Sequence, residues 1–306
     1  MSQALQAAID AMRVTNASAP ESERLDAYDL ALCEEMLRGY DVRWADQPWE
    51  VVSVEQEYRT ALVNPETGAA SKTWQRAGKI DALVRNRRTG LLYLCEHKTS
   101  SEDIGPGSDY WMALTLDPQV SGYYDGAREL GYDVVGCLYD VLGKPKLTPK
   151  QIPVVEDGCK VVLDAAGQRV RTKDGKKWRE TADAAEGHRL VTRTETVEEY
   201  AARVRSAIAE DPDRYYQRGE VVRLEREEWA YRADAWATGK AIRQAQVTGL
   251  WIRNPDACKR WGRRCEFFGL CTGTEDASDT TKWTRREWKH PELTAPTVPE
   301  QVEGED

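Results

Sequence analysis

The sequence feature that most limits the fold is a pair of apolar β-type runs that carries two acidic residues. The runs Ile80–Val84 and Leu91–Cys95 are joined by the polar turn Asn86–Gly90. Short apolar runs on either side of a Gly-containing polar link are typical of a β-hairpin. Charged residues are disfavoured inside such runs, so Asp81 and the following Glu96 call for a physical reason.

The predicted hairpin brings these two carboxylates together. A loop over Arg87–Gly90 pairs Val84 with Tyr93 and places Asp81 across from Glu96, with about 5 Å between their Cβ atoms. Opposed carboxylates destabilise a sheet unless a cation lies between them. Mg²⁺ is held by carboxylates, phosphate and water. Side chains alternate along a strand, so Lys98 shares the face of Glu96, where its ammonium can orient water or stabilise a charged phosphate.

The pattern therefore indicates a metal-dependent phosphodiesterase. In a chain with 31% charged residues, Asp followed by Glu-x-Lys at this distance also arises by chance. The alternative interpretation is a pair of ordinary strand residues.

Two motifs resemble a known nuclease family. Gly78-Lys79-Ile80-Asp81 followed by Glu96-His97-Lys98 resembles the signature of the PD-(D/E)XK nuclease superfamily. Gln119 and Tyr123, in DPQVSGYY, resemble the Gln-x-x-x-Tyr motif of its RecB-like branch. The wider context is similar to phage and prophage members, over roughly residues 28 to 292.

The resemblance implies a fold, a reaction and a set of site residues. The fold is α/β, a restriction-endonuclease-like core with a mixed central β-sheet flanked by helices. Asp81 and Glu96 bind Mg²⁺ or Mn²⁺, with the His97 carbonyl as a further ligand. Lys98 positions the attacking water, while Gln119 and Tyr123 orient the DNA strand. The expected function is a DNA nuclease, an exonuclease of phage-type recombination or DNA repair. Its expected partners are DNA that is single-stranded or has free ends and recombination or helicase proteins.

A cysteine cluster near the C-terminus indicates a second metal site. Cys258, Cys265 and Cys271 are spaced Cys-x6-Cys-x5-Cys among basic residues, which lower thiolate pKa values. A closed site needs four ligands. Cys33, which lies in the predicted helix before the core, is the best of the remaining candidates.

Some RecB-like nucleases hold a [4Fe-4S] cluster with one Cys before the nuclease motifs and three after them. The resemblance thus implies a cluster on Cys33, Cys258, Cys265 and Cys271, although the six-residue first gap departs from the family's two. Zinc, or no metal, are the alternatives. No His precedes Asp81, where several members have one, so an oxygen ligand from a glutamate is the expected substitute. The candidates are Glu34, Glu35, Glu55 and Glu57.

The predicted organisation has five parts. They are a flexible N-terminus (1–20), a nuclease core (21–145), a β-rich hairpin insertion (146–195), a C-terminal helical and Cys-rich region completing the same domain (196–292), and a disordered tail (293–306). The core begins with a helix over Glu21–Arg38, capped by Ser18 and stopped by Gly39. The insertion carries a basic tip that is read either as a solvated surface hairpin or as a DNA contact. Its cations are Lys173, Lys176, Lys177 and Arg179.

Charge and hydropathy restrict the location and the mode of DNA binding. The net charge is −9, which argues against tight, non-specific coating of duplex DNA. No apolar run approaches the ~20 residues that span a bilayer, and no secretory signal is recognised, so we expect a cytoplasmic protein with no membrane partner. Two other functions remain: a non-cleaving DNA-binding or complex-forming module of the same fold, and a site-specific endonuclease.

Overall fold

The structure, a computed structural model, describes residues 2–286, 290 and 293, without the side chains of Arg260 and Trp261. Apart from residue 293, the predicted tail 293–306 lies outside the described residues. The chain divides into two compact units, each built from three separated stretches. The helical unit comprises Met1–Gln47, Lys98–Trp111 and Val141–Arg218. The sheet unit comprises Pro48–His97, Met112–Asp140 and Gly219–Asp306.

Helices and strands alternate along much of the chain. The helices are α1 (Gln3–Ser18), α2 (Ala27–Arg43), α3 (Asp109–Ala113), α4 (Pro118–Glu129), α5 (Val197–Glu210), α6 (Glu225–Thr248) and α7 (Phe268–Thr272). The strands are β1 (Trp49–Val63), β2 (Ala70–Asn86), β3 (Leu92–Ser100), β4 (Val134–Gly143), β5 (Gln151–Pro153), β6 (Val155–Glu156), β7 (Cys159–Lys160), β8 (Val162–Leu163), β9 (Arg189–Leu190), β10 (Thr192–Thr194) and β11 (Tyr216–Val221). None of the helices in the described part of the chain is long and apolar enough to cross a membrane.

The central sheet has five strands in the order β1-β2-β3-β4-β11. It is mixed and flanked by helices, so the α/β class with a mixed central sheet is confirmed. The predicted hairpin forms β2 and β3 at the centre of this sheet, with β1 on one side and β4 and then the edge strand β11 on the other.

The predicted β2–β3 hairpin forms with the predicted register. Val84 pairs with Tyr93, and Ala82 pairs with Cys95. The loop closes where the Asn86 N–H donates to the Leu91 carbonyl at 2.9 Å. Gly90 has φ 76°, a left-handed conformation that costs glycine little.

Close packing of α4 against β1 and β2 depends on glycines that surround Tyr58. A Cβ added at Gly126 would lie 2.5 Å from the Tyr58 ring, and one at Gly78 would lie 2.6 Å from its hydroxyl. A Cβ at Gly122 would lie 3.1 Å from the same hydroxyl. Tyr58 is 7% exposed, so it fills the space that the missing side chains leave. These contacts hold α4 close to the strands that carry the candidate site.

We expect Gly126→Ala to lower the free energy of unfolding by about 2 kcal/mol, because overpacking forces the rigid Tyr58 ring to move. Urea denaturation of the purified variant measures this loss. In a Tyr58→Ala background the same change has room, and alanine's higher helix propensity should then raise stability by up to about 1 kcal/mol. An equal loss in both backgrounds would contradict the packing explanation.

The helical unit begins differently from the prediction. Residues 3–18 form α1, with Ser2 accepting the Leu5 N–H and with Leu5 and Ile9 buried. The predicted flexible N-terminus missed this helix. The next helix, α2, starts at Asp26, whose carboxylate accepts two main-chain N–H groups, so the predicted Ser18 cap was wrong.

Gly39 does not stop α2, which continues to Arg43. A Cβ at Gly39 would lie 2.7 Å from Ile208 Cγ2 and would also contact the Tyr216 hydroxyl. The glycine therefore serves close packing inside the helix, in a core that includes Tyr200, Val204 and Tyr216. Glu35, 5% exposed, accepts two hydrogen bonds from Arg205 at 2.8 and 2.7 Å and ties α2 to α5.

The region predicted as a β-rich insertion contains the six short strands β5 to β10. They pair as β5 with β10, β6 with β7 and β8 with β9. The predicted C-terminal region contains α5, α6 and α7, together with the edge strand β11.

Candidate active site

Two acidic residues lie next to each other on one face of the β2–β3 hairpin. The β2–β3 ladder ends at the pair of Ala82 with Cys95, and Asp81 and Glu96 are the next residues of the two strands, both close enough to Tyr123 to act on its charge. Glu96 is fully buried at 0% exposed, and Asp81 is half-buried. Asp81 Oδ2 accepts the His97 main-chain N–H at 3.0 Å, which holds this carboxylate against β3. The predicted juxtaposition of the two acids is therefore present in the sheet unit.

The His97 main chain lies beside the Asp81 carboxylate. In an extended strand, the N–H and C=O of one residue point toward the same neighbouring strand. The His97 N–H meets Asp81 Oδ2, and the His97 carbonyl is the further oxygen ligand that the resemblance implies. The arrangement thus offers carboxylate and carbonyl oxygens, the hard ligands that Mg²⁺ and Mn²⁺ prefer.

Gln119 and Tyr123 lie on one face of α4, as their spacing predicted. Gln119 Nε2 donates to the Tyr123 hydroxyl at 2.7 Å. Burial, followed by the negative charge of Glu96, raises the pKa of Tyr123, and Asp81 adds to the effect. Tyr123 therefore stays protonated beside the two acids and can donate its own hydroxyl proton.

Lys98 lies on β3 two residues after Glu96 and is half-buried. Lys98 belongs to a stretch of the helical unit, whereas Glu96 and His97 belong to the sheet unit.

The opposite face of β3 carries a residue that the sequence-based interpretation missed. The His97 imidazole is turned to that face, where its Nδ1 lies 3.4 Å from Asp140 Oδ2 and its Nε2 lies 3.6 Å from Cys95 Sγ. Asp140 is 0% exposed. The hydrogen bond between His97 and Asp140, and then the one with Cys95, raise the pKa of His97 to about 10, although burial acts in the opposite direction. Asp140 thus holds a cationic His97 in place. The sequence feature that could have indicated this role is an acidic residue inside the apolar run of β4.

Arg223 is a second residue that the sequence did not single out. It is 7% exposed and donates to the carbonyls of Leu114 and Asp117 at 2.6 and 3.0 Å and to Ser121 Oγ at 2.8 Å. Asp117 itself caps α4 by accepting the Gln119 N–H at 2.7 Å. Arg223 therefore fixes the turn from which Gln119 projects.

A buried ion-pair network holds α4 between β2 and α6. Asp125, 8% exposed, lies 2.7 Å from Arg76 and 2.5 Å from Arg232. Glu228 completes the network with Arg128 at 2.5 Å and Arg232 at 3.2 Å. Burial opposes ionisation of Asp125, but hydrogen bonds from Arg232 and Arg76 outweigh it and lower its pKa.

The candidate upstream glutamates have different surroundings. Glu34 pairs with Arg13 at 2.6 Å, and Glu35 pairs with Arg205 at 2.7 Å. Glu55 lies across from Asp81, because the neighbouring pairs of the β1–β2 ladder are Val54 with Ala82 and Gln56 with Ile80. Its carboxylate lies 2.6 Å from the Lys79 ammonium. Its φ of 51° is a left-handed conformation that costs a non-glycine residue about 1–2 kcal/mol. In the sheet unit, Glu55 thus lies across from Asp81, and Glu57 pairs with Lys79, two residues before Asp81.

The predicted cysteine ligands show no assembled metal site. Among residues 2–286, 290 and 293, no group of three or more His, Cys, Asp or Glu side chains is arranged to hold a metal ion. The Cys265 N–H donates to the Cys258 carbonyl at 2.9 Å, while Cys271 is exposed. Burial, and then Asp29, raise the pKa of Cys33, which disfavours the thiolate that a metal requires. The [4Fe-4S] cluster on Cys33, Cys258, Cys265 and Cys271 stays a prediction from the resemblance.

Searches of known proteins add no relative. No protein-family model matches the sequence, and no curated protein matches it. The function is therefore inferred from the site itself, in which Asp81, Glu96, Gln119 and Tyr123 lie together in one unit.

Proposed function

We propose that the protein is a Mg²⁺- or Mn²⁺-dependent deoxyribonuclease that acts as an exonuclease in phage-type recombination or DNA repair. The observation that supports this most strongly is the fully buried Glu96 beside Asp81, under the hydroxyl of Tyr123. Carboxylates so close in a poorly solvated place favour a bound cation.

The residues present fit a hard divalent cation. Asp81 and Glu96 would supply carboxylate oxygens, and His97 would supply its carbonyl. Such an ion activates water and neutralises charge on the phosphate. Proteins commonly hold Mg²⁺ with only one or two carboxylates. The ion keeps several water ligands and takes further oxygen ligands from phosphate.

The remaining residues act on the DNA and on the attacking water. Lys98, two residues after Glu96 in the sequence, would supply a cation suited to orienting water and stabilising a developing negative charge. Tyr123 receives a hydrogen bond from Gln119 and keeps its own proton. Its hydroxyl would donate a hydrogen bond to a phosphate oxygen of the bound strand.

A second candidate function is a DNA-binding or complex-forming module that does not cut. Among the described residues, no group of three or more His, Cys, Asp or Glu side chains is arranged to hold a metal ion, and this favours the alternative. It predicts DNA binding that does not depend on divalent metal and no turnover.

The deciding experiment is a digest of end-labelled single- and double-stranded DNA with Mg²⁺, Mn²⁺ or EDTA. The nuclease proposal predicts metal-dependent loss of nucleotides from an end. Discrete internal fragments would indicate a site-specific endonuclease instead. Binding without any cleavage would support the non-cutting module and contradict the nuclease.

The iron–sulfur proposal is tested separately on protein purified without oxygen. An iron assay and an absorption spectrum are compared between the wild type and a Cys265→Ala variant. Iron that is lost in the variant would support the cluster, and colourless protein without iron or zinc would contradict any metal on these cysteines.

A further inference from the structure

The tip of the insertion concentrates exposed positive charge on a chain that is acidic as a whole. Between residues 171 and 177 stand Arg171, Lys173, Lys176 and Lys177, with Asp174 as the single acid. All of these side chains are exposed, whereas the whole chain has a net charge of −9. A local excess of this kind is the electrostatic signature of a polyanion contact.

The tip is a defined turn and not a loose end. Thr172 N–H donates to the Lys177 carbonyl at 2.9 Å, and Gly175 N–H donates to the Thr172 carbonyl at 2.8 Å. Gly175 has φ 68°, which the turn requires. The three lysines are thereby presented together on one short loop.

The acid within the tip is engaged by the turn itself. Asp174 accepts hydrogen bonds from the Thr172 hydroxyl at 2.5 Å and from the Lys176 N–H at 3.2 Å. Its carboxylate therefore stabilises the turn. None of the ion pairs among the described residues involves Lys173, Lys176 or Lys177.

The cations at the base of the hairpin are used differently. Arg169 pairs with Glu156 and Asp157 at 3.4 and 3.3 Å, and Arg179 pairs with Glu186 at 2.6 Å. Arg169 and Arg171 both contact Trp178, with guanidinium carbons 4.4 and 4.1 Å from the ring centre. These two cations therefore engage the indole ring, and the lysines of the tip do not.

We infer that this tip binds the sugar–phosphate backbone of DNA without reading its sequence, an inference that rests on the proposed function. Lysine ammonium groups contact phosphates as point charges, without the paired geometry that recognises base edges. Residues 171 to 177 include no aromatic and no apolar side chain, so neither base stacking nor insertion into lipid is favoured at the tip.

The test is the salt dependence of DNA binding in EDTA, where cleavage cannot occur. Fluorescence anisotropy with a labelled duplex is measured over a KCl series for the wild type and for a Lys173→Gln, Lys176→Gln, Lys177→Gln variant. Each lost phosphate contact reduces the slope of log K against log salt by about 0.9 for duplex DNA. We expect the slope to fall by about 2 to 3 in the triple variant.

A matched variant separates this effect from bulk charge. Lys72→Gln, Lys146→Gln and Lys240→Gln remove three exposed lysines elsewhere and change the net charge equally. An equal slope change in both variants, or none in either, would overturn the inference. Tip-dependent binding to vesicles containing phosphatidylserine, without tip-dependent DNA binding, would overturn it in favour of a membrane.

The inference and the proposed function fail in distinguishable ways. A protein that binds DNA through the tip but never cleaves it sustains the inference and contradicts the nuclease. A protein that cleaves DNA while the tip variant binds like the wild type contradicts the inference alone.

Discussion

Replacing Asp81 with Asn is expected to reduce metal-dependent DNA cleavage by about a thousandfold or more, with little change in stability. The amide oxygen of Asn can still accept the His97 N–H, which lies 3.0 Å from Asp81 Oδ2 in the native site. The hairpin should therefore form, while the negative charge that holds a cation is lost. Initial rates on end-labelled DNA with saturating Mg²⁺ measure the effect, and urea denaturation checks the fold.

Asp133→Asn is the matched control for this substitution. Asp133 is exposed and precedes β4, so removing its charge should leave cleavage within about twofold of the wild type. Undiminished cleavage by the Asp81 variant would remove the candidate site from the chemistry. A similar loss in both variants would point to charge in general.

Asp125→Asn is expected to lower the free energy of unfolding by about 2–3 kcal/mol. Removing one partner of a buried ion pair leaves uncompensated charge, and here Arg76 and Arg232 would face each other across a neutral amide. Solvent reaches Arg232, whose side chain is 33% exposed, so the loss should fall below the largest known values. Denaturation at neutral pH measures the loss, with Asp133→Asn again as the control.

The same variant gives a pH signature. Because the folded-state pKa of Asp125 is lowered, its ionised form stabilises the protein above the unfolded-state pKa of about 4. That contribution disappears as the pH falls through the folded-state value. The stability difference between wild type and variant should therefore be constant near neutrality and shrink below pH about 4. A difference that does not change with acid would show that charge pairing is not its source.

The sequence was sufficient to predict elements whose determinants are local. Alternating apolar residues and the Asn86–Gly90 turn specified the hairpin, and Val84 does pair with Tyr93. Asp117 followed by Pro118 specified the start of α4, because an acidic cap and a proline in the first turn favour a helix. Within these elements, the proximity of Asp81 to Glu96 followed from register alone.

Features that depend on distant residues were beyond sequence reasoning. Glycine usually ends a helix, but Gly39 lies inside α2 because Tyr216, far along the chain, packs against it. His97 meets Asp140 only because β4 lies beside β3. The cysteine spacing likewise specifies ligand types but not the positions of their sulfur atoms.

The two sides of β3 have a consequence for the interpretation of mutants. One side carries Glu96, and the other is embedded in apolar packing that includes Cys95 and Leu138. A truncation at Leu138 would let the strand shift and carry the His97 carbonyl with it, without removing any group of the proposed DNA site. Loss of turnover in such a variant would result from a displaced backbone oxygen and not from the loss of a functional side chain. Mutational scans of this protein therefore need a structural measurement for each inactive substitution.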